Sequence, residues 1–250
     1  TVAEQYDKAL VVMATGLGKT YLAAFFAKKF NKVLFIAHRE EILKQAKASF
    51  EKVLKKQGGL YYGLEKNLEH DMLFASIFTL SIQEHLQLFR KDEFDLIIID
   101  EFHHAAAKSY QKIIDYFEPK FLLGLTATPE RTDGRDVFAL CDGNVAYEIT
   151  FIEAIQRGWL TPFKYYGVKD DIDYSKIRWL GQRYDQQQLL IEQLNTERAE
   201  KIFKEWLKYK QTRTLGFCSS IKQAEFLANY FRQQGIEAIS LTSYTQDFSR

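Results

Sequence analysis

Cysteine and proline are scarce in this 250-residue chain, which contains two cysteines and three prolines. Cys141 and Cys218 are the only cysteines, and neither belongs to a CxxC pair. The sequence therefore excludes a disulfide scaffold and a cysteine zinc site. So low a cysteine content is typical of the reducing cytosol, and we expect a cytoplasmic protein.

The chain also lacks a long apolar run and an excess of one charge. Because no stretch of about 18 apolar residues is present, we expect no membrane-spanning helix. Lys and Arg number 34 against 33 Asp and Glu, which gives a net charge of +1. The charge is uneven, with +6 on residues 1–60, −8 on residues 61–150 and +3 on residues 151–250. A site for a polyanion must therefore be local.

Short apolar runs alternate with amphipathic stretches in the first part of the chain, whose composition of 46% hydrophobic and 27% charged residues is globular. Strands are predicted at 9–14, 32–37, 72–77, 95–100 and 121–125. Helices are predicted at 20–30, 40–56, 81–90 (with Ser81 as a cap) and 109–117. The alternation predicts an α/β fold with a mostly parallel sheet covered by helices on both faces. Ligands of such sheets bind at the carboxyl ends of the strands.

The pattern changes after about residue 150. A helix at 151–157, a strand at 163–168 and a long helix at 186–210 are predicted, followed by a β-α-β unit at 214–218, 221–234 and 236–241. We therefore predict three regions: a first domain at 1–150, a connecting segment with a long helix at 151–210, and the beginning of a second domain at 211–250. One β-α-β unit is too small to bury its own core, so we expect the second domain to be truncated.

A glycine-rich loop lies between the first predicted strand and helix, with the sequence ATGLGKT at residues 14–20. Glycines let several backbone N–H groups point at one anion, and the following helix N-terminus favours negative charge. Lys19 would reach the β- and γ-phosphates of a nucleotide, and the Thr20 hydroxyl would bind Mg²⁺. Met13 stands where the strict phosphate-loop pattern has glycine. The alternative is a glycine turn that only caps a helix.

Two acidic residues, Asp100 and Glu101, follow the most apolar predicted strand. At this position Asp100 would hold Mg²⁺ through water and Glu101 would polarise an attacking water, which are the two roles that ATP hydrolysis requires. A solvated acidic loop is the alternative for the isolated pair. Zinc binding by His103 and His104 is disfavoured, because adjacent histidines project apart and no third ligand is evident.

Taken together, these motifs resemble the superfamily 2 helicases and translocases of the DEAD/DEAH-box (DExH) type. The matching segments are ATGLGKT at 14–20 (motif I), AHRE at 37–40 (Ia), FTL at 78–80 (Ib), DEFH at 100–103 (II), LTATP at 125–129 (III) and FCSS at 217–220 (IV). The segments TATPERTDG at 126–134 and EAIQRG at 153–158 are most similar to a bacterial branch related to excision-repair helicases and restriction-enzyme motor subunits. The resemblance implies a RecA-like domain with a phosphate loop, followed by the truncated start of a second RecA-like domain.

The resemblance also implies roles for individual residues. The residues implied to bind ATP are Thr15, Gly16, Leu17, Gly18, Lys19 and Thr20. Lys19, Asp100 and Glu101 form the implied catalytic set, in which Thr20 and Asp100 bind Mg²⁺ and Glu101 activates water. Coupling of the nucleotide state to the second domain is implied for His103, Thr126 and Thr128. Contact with the nucleic-acid backbone is implied for Arg39 and Thr79.

Less specific readings stay open for several of these residues. Arg39 is alternatively a solvated charge at a helix start. Thr126 and Thr128 are alternatively hydroxyls that cap a turn. Arg131 and Arg135 are expected to lie in a surface loop without an assigned role.

The implied activity is nucleic-acid-dependent ATP hydrolysis that drives a helicase or translocase, with ATP and Mg²⁺ as cofactors and DNA favoured over RNA as partner. No motif V or motif VI is present, and motif VI would supply the arginine finger. We therefore expect a fragment that lacks the start of the first domain and most of the second. Two alternatives remain: a module that binds ATP and nucleic acid with negligible turnover, and an unrelated phosphate-loop phosphotransferase.

Overall fold

The computed structural model describes residues 6–128, 137–170 and 172–245. Pro129 of motif III, Arg131 and Arg135 lie outside the described residues. The chain forms two compact units, Thr1–Phe163 and Lys164–Arg250. The predicted boundaries at residues 150 and 210 stay a prediction.

The first unit is built on one eight-stranded sheet. Its strands are β1 (Lys8–Met13), β2 (Val33–Ala37), β3 (Gly59–Tyr62), β4 (Glu65–Lys66), β5 (Met72–Ser76), β6 (Leu96–Asp100), β7 (Phe121–Thr126) and β8 (Val145–Ile149). The strand order is β4-β3-β5-β2-β6-β7-β1-β8, and every pairing is parallel except that of β3 with β4. The predicted α/β class with a mostly parallel sheet is confirmed.

Helices cover both faces of this sheet. They are α1 (Lys19–Ala27), α2 (Glu40–Leu54), α3 (Ile77–Leu80), α4 (Gln83–Leu86), α5 (Lys108–Tyr116) and α6 (Phe151–Gln156). Successive strand side chains point to opposite faces, so that Val11 belongs to the apolar cluster that includes α1 and α2, and Val12 belongs to the one that includes α3, α4 and α5. Because both faces are covered, the central strands are buried and apolar along most of their length, and polar residues such as Asp100 and Thr126 stand at their ends.

The helix predicted at 81–90 is formed only over α4 (Gln83–Leu86), and Ile82 rather than Ser81 stands at its N-cap. The chain instead turns into α3 directly after β5, since the Ser76 side chain accepts a hydrogen bond from the backbone N–H of Phe78 at 3.3 Å. The Ser81 hydroxyl donates to the carbonyl of Phe78 at 3.2 Å, and Ile82 is extended before α4 begins. A serine that bonds back to its own turn competes with helix continuation, which explains the break.

Three strands were not predicted from the sequence. The short β3 and β4 form an antiparallel ribbon at one edge of the sheet, and β8 lies at the other edge beside β1. The edge strands β4 and β8 are mostly exposed and so carry no continuous apolar pattern, whereas β3 is largely buried but only four residues long. In β8 only Ile149 is buried.

The second unit contains α7 (Gln186–Gln193), α8 (Thr196–Tyr209) and α9 (Ile221–Gln233). The long helix predicted at 186–210 is therefore two helices. The division occurs at Asn195, whose side chain accepts a hydrogen bond from the backbone N–H of Glu197 at 2.8 Å and so starts α8. The helix predicted at 221–234 is confirmed as α9.

The strands predicted at 163–168, 214–218 and 236–241 are not formed. A strand needs a hydrogen-bonded neighbour, and in the described part of the second unit one isolated bridge, Trp179 with Tyr184, joins extended segments. Apolar side chains in these segments are exposed, as Phe217 is at 95%. The assignment of residues 211–250 to a second RecA-like domain stays a prediction. Among the described residues, no helix is long and apolar enough to cross a membrane.

Phe102 and Gly124 fix the distance between the acidic loop and β7. Phe102 lies two residues after the end of β6 and is fully buried against Gly124 in the middle of β7. A Cβ added to Gly124 would lie 2.6 Å from Cγ of Phe102, closer than van der Waals contact permits. Glycine is therefore required at position 124 by the ring above it.

We expect Gly124→Ala to lower the free energy of unfolding by about 1–3 kcal/mol, because the added methyl overpacks the Phe102 ring. Urea unfolding measures this loss. Gly216→Ala is the control, since an added Cβ there meets no atom within 4 Å. The double variant Gly124→Ala with Phe102→Leu should recover part of the loss, and an equal loss in the control would contradict the explanation.

Candidate functional site

The loop at residues 14–20 leads from β1 into α1 through two glycines with positive φ. Gly16 has φ +91° and Gly18 has φ +83°, a conformation that L side chains rarely adopt. Helix α1 starts at Lys19 without a side-chain cap and without an acidic residue in its first turn. A Cβ at Gly18 would meet no atom within 4 Å, so the loop opens onto free space. The N–H groups of this helix start are therefore available to an anion.

Lys19 lies inside this loop. Its Nζ donates a hydrogen bond to the carbonyl of Met13 at 3.0 Å. Burial lowers the pKa of Lys19, and the charges of Asp100 and Glu101 partly oppose that effect. A half-buried ammonium whose other neighbours are carboxylates is suited to binding a phosphate chain, which would supply further negative charge.

Asp100 is the last residue of β6 and Glu101 follows in the left-handed conformation, with φ +51°. Asp100 is 8% exposed, and its Oδ1 accepts a hydrogen bond from the N–H of Glu101 at 3.0 Å. Burial raises the pKa of Asp100, and the neighbouring charge of Glu101 raises it further, while the backbone hydrogen bond and Lys19 lower it. A cation beside Asp100 would offset these effects, because positive charge favours the carboxylate.

The sheet register brings these segments together. Asp100 pairs with Leu125 across β6 and β7, and Thr126 pairs with Val12 across β7 and β1. The glycine-rich loop, the acidic pair and motif III therefore leave three adjacent strands at their carboxyl ends. The predicted position of the motifs at this edge is confirmed.

His103 connects the acidic pair to motif III. The Thr126 hydroxyl donates its single hydrogen to the carbonyl of Thr128 at 3.1 Å, so it must accept from Nδ1 of His103 at 3.2 Å. Nδ1 therefore carries a hydrogen, and the same atom lies 3.2 Å from Oε2 of Glu101. The hydroxyl also accepts the N–H of Thr128 at 3.2 Å. One network of contacts thus connects Glu101 with His103, Thr126 and Thr128. These last three are the residues predicted to couple the nucleotide state to the second domain.

Two further histidines lie next to His103, and sequence analysis assigned no role to either. The rings of His103 and His104 are 4.1 Å apart, and those of His104 and His38 are 5.8 Å apart in an edge-on arrangement. Burial lowers the pKa of His38, as do the charges of Arg39 and His104. Nδ1 of His38 is buried without a hydrogen-bond partner in the described residues. Only the tertiary fold brings position 38 near position 104.

Tyr110, on α5, is a third residue that sequence analysis missed. It is 4% exposed, and its hydroxyl has no hydrogen-bond partner in the described residues. Burial raises the pKa of Tyr110 to about 12, with further contributions from the charges of Asp100 and Glu101. The position of Tyr110 in the helical pattern predicts only that it is a core residue. The sequence does not indicate that the charges of Asp100 and Glu101 affect its pKa.

The residues predicted to contact nucleic acid differ in accessibility. Arg39 is exposed at the start of α2 and forms no ion pair in the described part of the chain. Thr79 is 7% exposed, whereas the neighbouring Phe78 is 66% exposed. The role of Thr79 stays a prediction.

In the second unit, the Ser220 hydroxyl of motif IV accepts a hydrogen bond from the N–H of Gln223 at 3.2 Å and caps α9.

The oxygen atoms of Thr20 and Asp100 are suitable ligands for a hard divalent cation bound together with a nucleotide. The hydroxyl of Thr20 at the helix start and the buried carboxylate of Asp100 are oxygen donors, which Mg²⁺ prefers. Among the described residues, no three His, Cys, Asp or Glu side chains are placed to hold a metal by themselves. A cation here would therefore also need ligands from nucleotide phosphates and water, as is usual for Mg²⁺.

Comparison with known proteins identifies related sequences. The family model described as type III restriction enzyme, res subunit, matches residues 1–131. The chain is 30% identical over 257 residues to irc3 of Schizosaccharomyces pombe, a candidate mitochondrial ATP-dependent helicase, covering 96% of this chain and 42% of that protein. It is 30% identical over 260 residues to the endonuclease subunit of the type I restriction enzyme EcoAI of Escherichia coli, covering 90% and 31% respectively.

A solved structure with the same fold is a fragment of a candidate HsdR subunit of a type I restriction enzyme from Vibrio vulnificus YJ016. Its TM-score is 0.68 at 25% identity, over 93% of this chain and 42% of that one. The chain therefore spans less than half the length of the curated relatives and of the solved chain that it matches.

We expect Asp100→Asn to stabilise the protein at pH 7 in buffer without nucleotide or divalent cation. Because the folded-state pKa of Asp100 is raised, folding is favoured while the carboxyl is protonated, and this advantage disappears as the pH rises through that pKa. The amide carries no charge, so its gain over wild type should be largest at neutral pH and vanish below about pH 4, the pKa of an unfolded aspartate. Urea unfolding from pH 3 to pH 7 measures the difference, and a gain independent of pH would contradict the explanation.

Proposed function

Since the chain belongs to the family described as type III restriction enzyme, res subunit, we propose that it forms the ATP-binding part of a nucleic-acid-dependent motor. The resemblance to superfamily 2 helicases and translocases is confirmed, as is the RecA-like α/β fold of the first unit. Helicase or translocase activity of the whole protein is the function that the site supports best. The proposal rests on one observation. Lys19, Asp100 and Glu101 lie at the carboxyl ends of strands in one three-strand group, β6-β7-β1, close enough for the two carboxylates to affect the pKa of Lys19.

ATP would bind with its phosphates in the loop at residues 14–20. The N–H groups at the start of α1 would surround the β-phosphate, and Lys19 would exchange the Met13 carbonyl for β- and γ-phosphate oxygens. The residues proposed for this contact are Thr15, Gly16, Leu17, Gly18, Lys19 and Thr20. Thr20 and Asp100 would hold Mg²⁺, which when bound neutralises charge that develops on the phosphates.

Glu101 is proposed to position and deprotonate the attacking water. In hydrolysis the water oxygen bonds to the γ-phosphorus, the bond from that phosphorus to the β–γ bridging oxygen breaks, and ADP and phosphate are released. The close contact of 3.2 Å between Nδ1 of His103 and Oε2 of Glu101 would help to hold the carboxylate of Glu101 in position. Because the same Nδ1 bonds to Thr126, a change in the conformation of motif III would alter the geometry of Glu101.

Nucleic acid is the proposed partner, and DNA is favoured because the relatives include restriction-enzyme subunits. Arg39 lies at the same edge of the sheet as the nucleotide site, is exposed and is not neutralised by a carboxylate in the described part of the chain. Contacts of this kind to the phosphate backbone predict binding that tolerates different sequences and weakens with salt.

A cytoplasmic location is also proposed, since Cys141 and Cys218 are unpaired, as is usual in a reducing compartment.

Two other functions would give different results. A module that binds ATP and nucleic acid without turnover would show binding of both and no hydrolysis by the full-length protein. A phosphotransferase would modify a small acceptor without any response to nucleic acid. Family membership argues against this second alternative.

In the full-length protein, we expect Lys19→Ala and Glu101→Gln each to lower nucleic-acid-stimulated ATP turnover by at least about 10²-fold, the usual effect of losing a charge-stabilising or general-base group. Steady-state phosphate release with and without DNA or RNA measures this. Lys52→Ala and Glu118→Gln remove comparable exposed groups and serve as controls. Wild-type turnover in either site variant, or ATPase activity that ignores nucleic acid, would contradict the proposal.

A further inference from the structure

The hydroxyl of Tyr110 is a buried polar group that the proposed function does not use. Tyr110 lies in the first turn of α5 and is 4% exposed, and its hydroxyl has no hydrogen-bond partner among the described residues. Burying a hydroxyl without a partner lowers stability, because the group gives up its hydrogen bonds to water. Phenylalanine would fill nearly the same volume without this cost. A partner that is present only in another state of the protein would explain why the hydroxyl is tolerated.

Tyr110 lies beside the acidic pair. Ile99 and Phe102, the residues on either side of Asp100 and Glu101, belong to the same buried apolar cluster as Tyr110. The chain from Glu101 to α5 passes through tight turns closed by backbone hydrogen bonds of 2.8–3.0 Å, so it folds back over a short distance. The negative charges of Asp100 and Glu101 both act on the pKa of Tyr110, which places its hydroxyl near the two carboxylates.

The hydroxyl is a hydrogen-bond donor, and Asp100 has an acceptor position left for it. Because the pKa of Tyr110 is raised to about 12, its hydroxyl stays protonated at neutral pH. The side chain of Asp100 accepts one hydrogen bond in the described part of the chain, at Oδ1 from the N–H of Glu101. A carboxylate can accept about four hydrogen bonds, so a second donor would leave a position free for a cation. Hydrogen bonds to a metal-binding carboxylate orient it and increase the affinity of the site.

We propose that Tyr110 is a positioning residue whose hydroxyl donates a hydrogen bond to the Asp100 carboxylate, directly or through one water, when Mg²⁺ and nucleotide are bound. The inference rests on the proposed function, because it concerns the proposed Mg²⁺ ligand Asp100. The two side chains form no direct hydrogen bond in the structure, so binding must move the carboxylate or bring a water to the hydroxyl. Tyr110 would therefore favour the bound state while it destabilises the free one.

Turnover of ATP as a function of Mg²⁺ concentration tests this inference in the full-length protein. Tyr110→Phe removes the hydroxyl and keeps the ring. We expect it to raise the Mg²⁺ concentration for half-maximal nucleic-acid-stimulated turnover by about 10- to 100-fold, the value of one hydrogen bond to a charged group. Saturating Mg²⁺ should restore most of the maximal turnover, because Asp100 and Glu101 are intact in this variant.

A second measurement separates positioning from a structural role. In urea unfolding without nucleotide or divalent cation, Tyr110→Phe should have a higher midpoint than wild type, because the variant buries no unpartnered hydroxyl. Tyr116→Phe is the matched control on the same helix, since the Tyr116 hydroxyl donates to the carbonyl of Phe89 at 2.7 Å. Removal of that hydroxyl should lower the midpoint and leave the Mg²⁺ dependence of turnover as in wild type.

Wild-type Mg²⁺ dependence in Tyr110→Phe would refute the inference. An unfolding midpoint lowered as in Tyr116→Phe would also refute it, since the hydroxyl would then have a structural partner in the free protein. A lower maximal turnover at unchanged Mg²⁺ dependence would mean that the hydroxyl acts on Glu101, and the assignment to Asp100 would be wrong. If wild type hydrolyses no ATP in the presence of nucleic acid, the proposed function itself fails.

Discussion

The parallel pairing of β6, β7 and β1 is the constraint on which the site depends. Asp100 and Thr126 are each the last residue of their strand, and the register sets them in adjacent rows beside β1. The Phe102 ring against Gly124 then keeps the acidic loop and motif III at one separation. A slip of either strand by one residue would reverse the direction of every side chain on it and would separate Glu101 from the His103 network. The chemistry is therefore held by sheet geometry more than by the loops themselves.

Features that depend on neighbours in sequence could be predicted, and features that depend on distant neighbours could not. The loop around Lys19 and the acidic pair at Asp100 are local patterns. The strands that precede them carry continuous apolar runs, Ala9 to Met13 and Leu96 to Ile99, because both faces of the sheet are covered. In contrast, the apolar segment around Phe217 has the composition of a strand but no hydrogen-bonded neighbour in the described residues. The break at Ser81 depends on one hydroxyl that bonds back to Phe78, which periodicity does not register.

Burial and charge act together at the nucleotide site. Burial lowers the pKa of Lys19 and raises the pKa of Asp100, so removal from water disfavours the charged form of both groups. Phosphate oxygens and a divalent cation would compensate both effects at once, because each supplies the charge opposite to that of its protein partner. Tyr110 and His38 are both affected by the charge of Glu101, and His104 lies beside His38; this proximity arises only when β2, β6 and α5 pack together. Their contribution was invisible in the sequence for that reason.

The two edges of the sheet have opposite consequences for association. At one edge β4 is two residues long, and both Glu65 and Lys66 are exposed and charged, which discourages the addition of another strand. At the other edge β8 has five residues, and those at its centre, including Tyr147, are exposed. Unpaired backbone groups on a strand of this length form a template for further pairing. Aggregation of the first unit, or exchange of strands between copies, would therefore be expected to begin at β8.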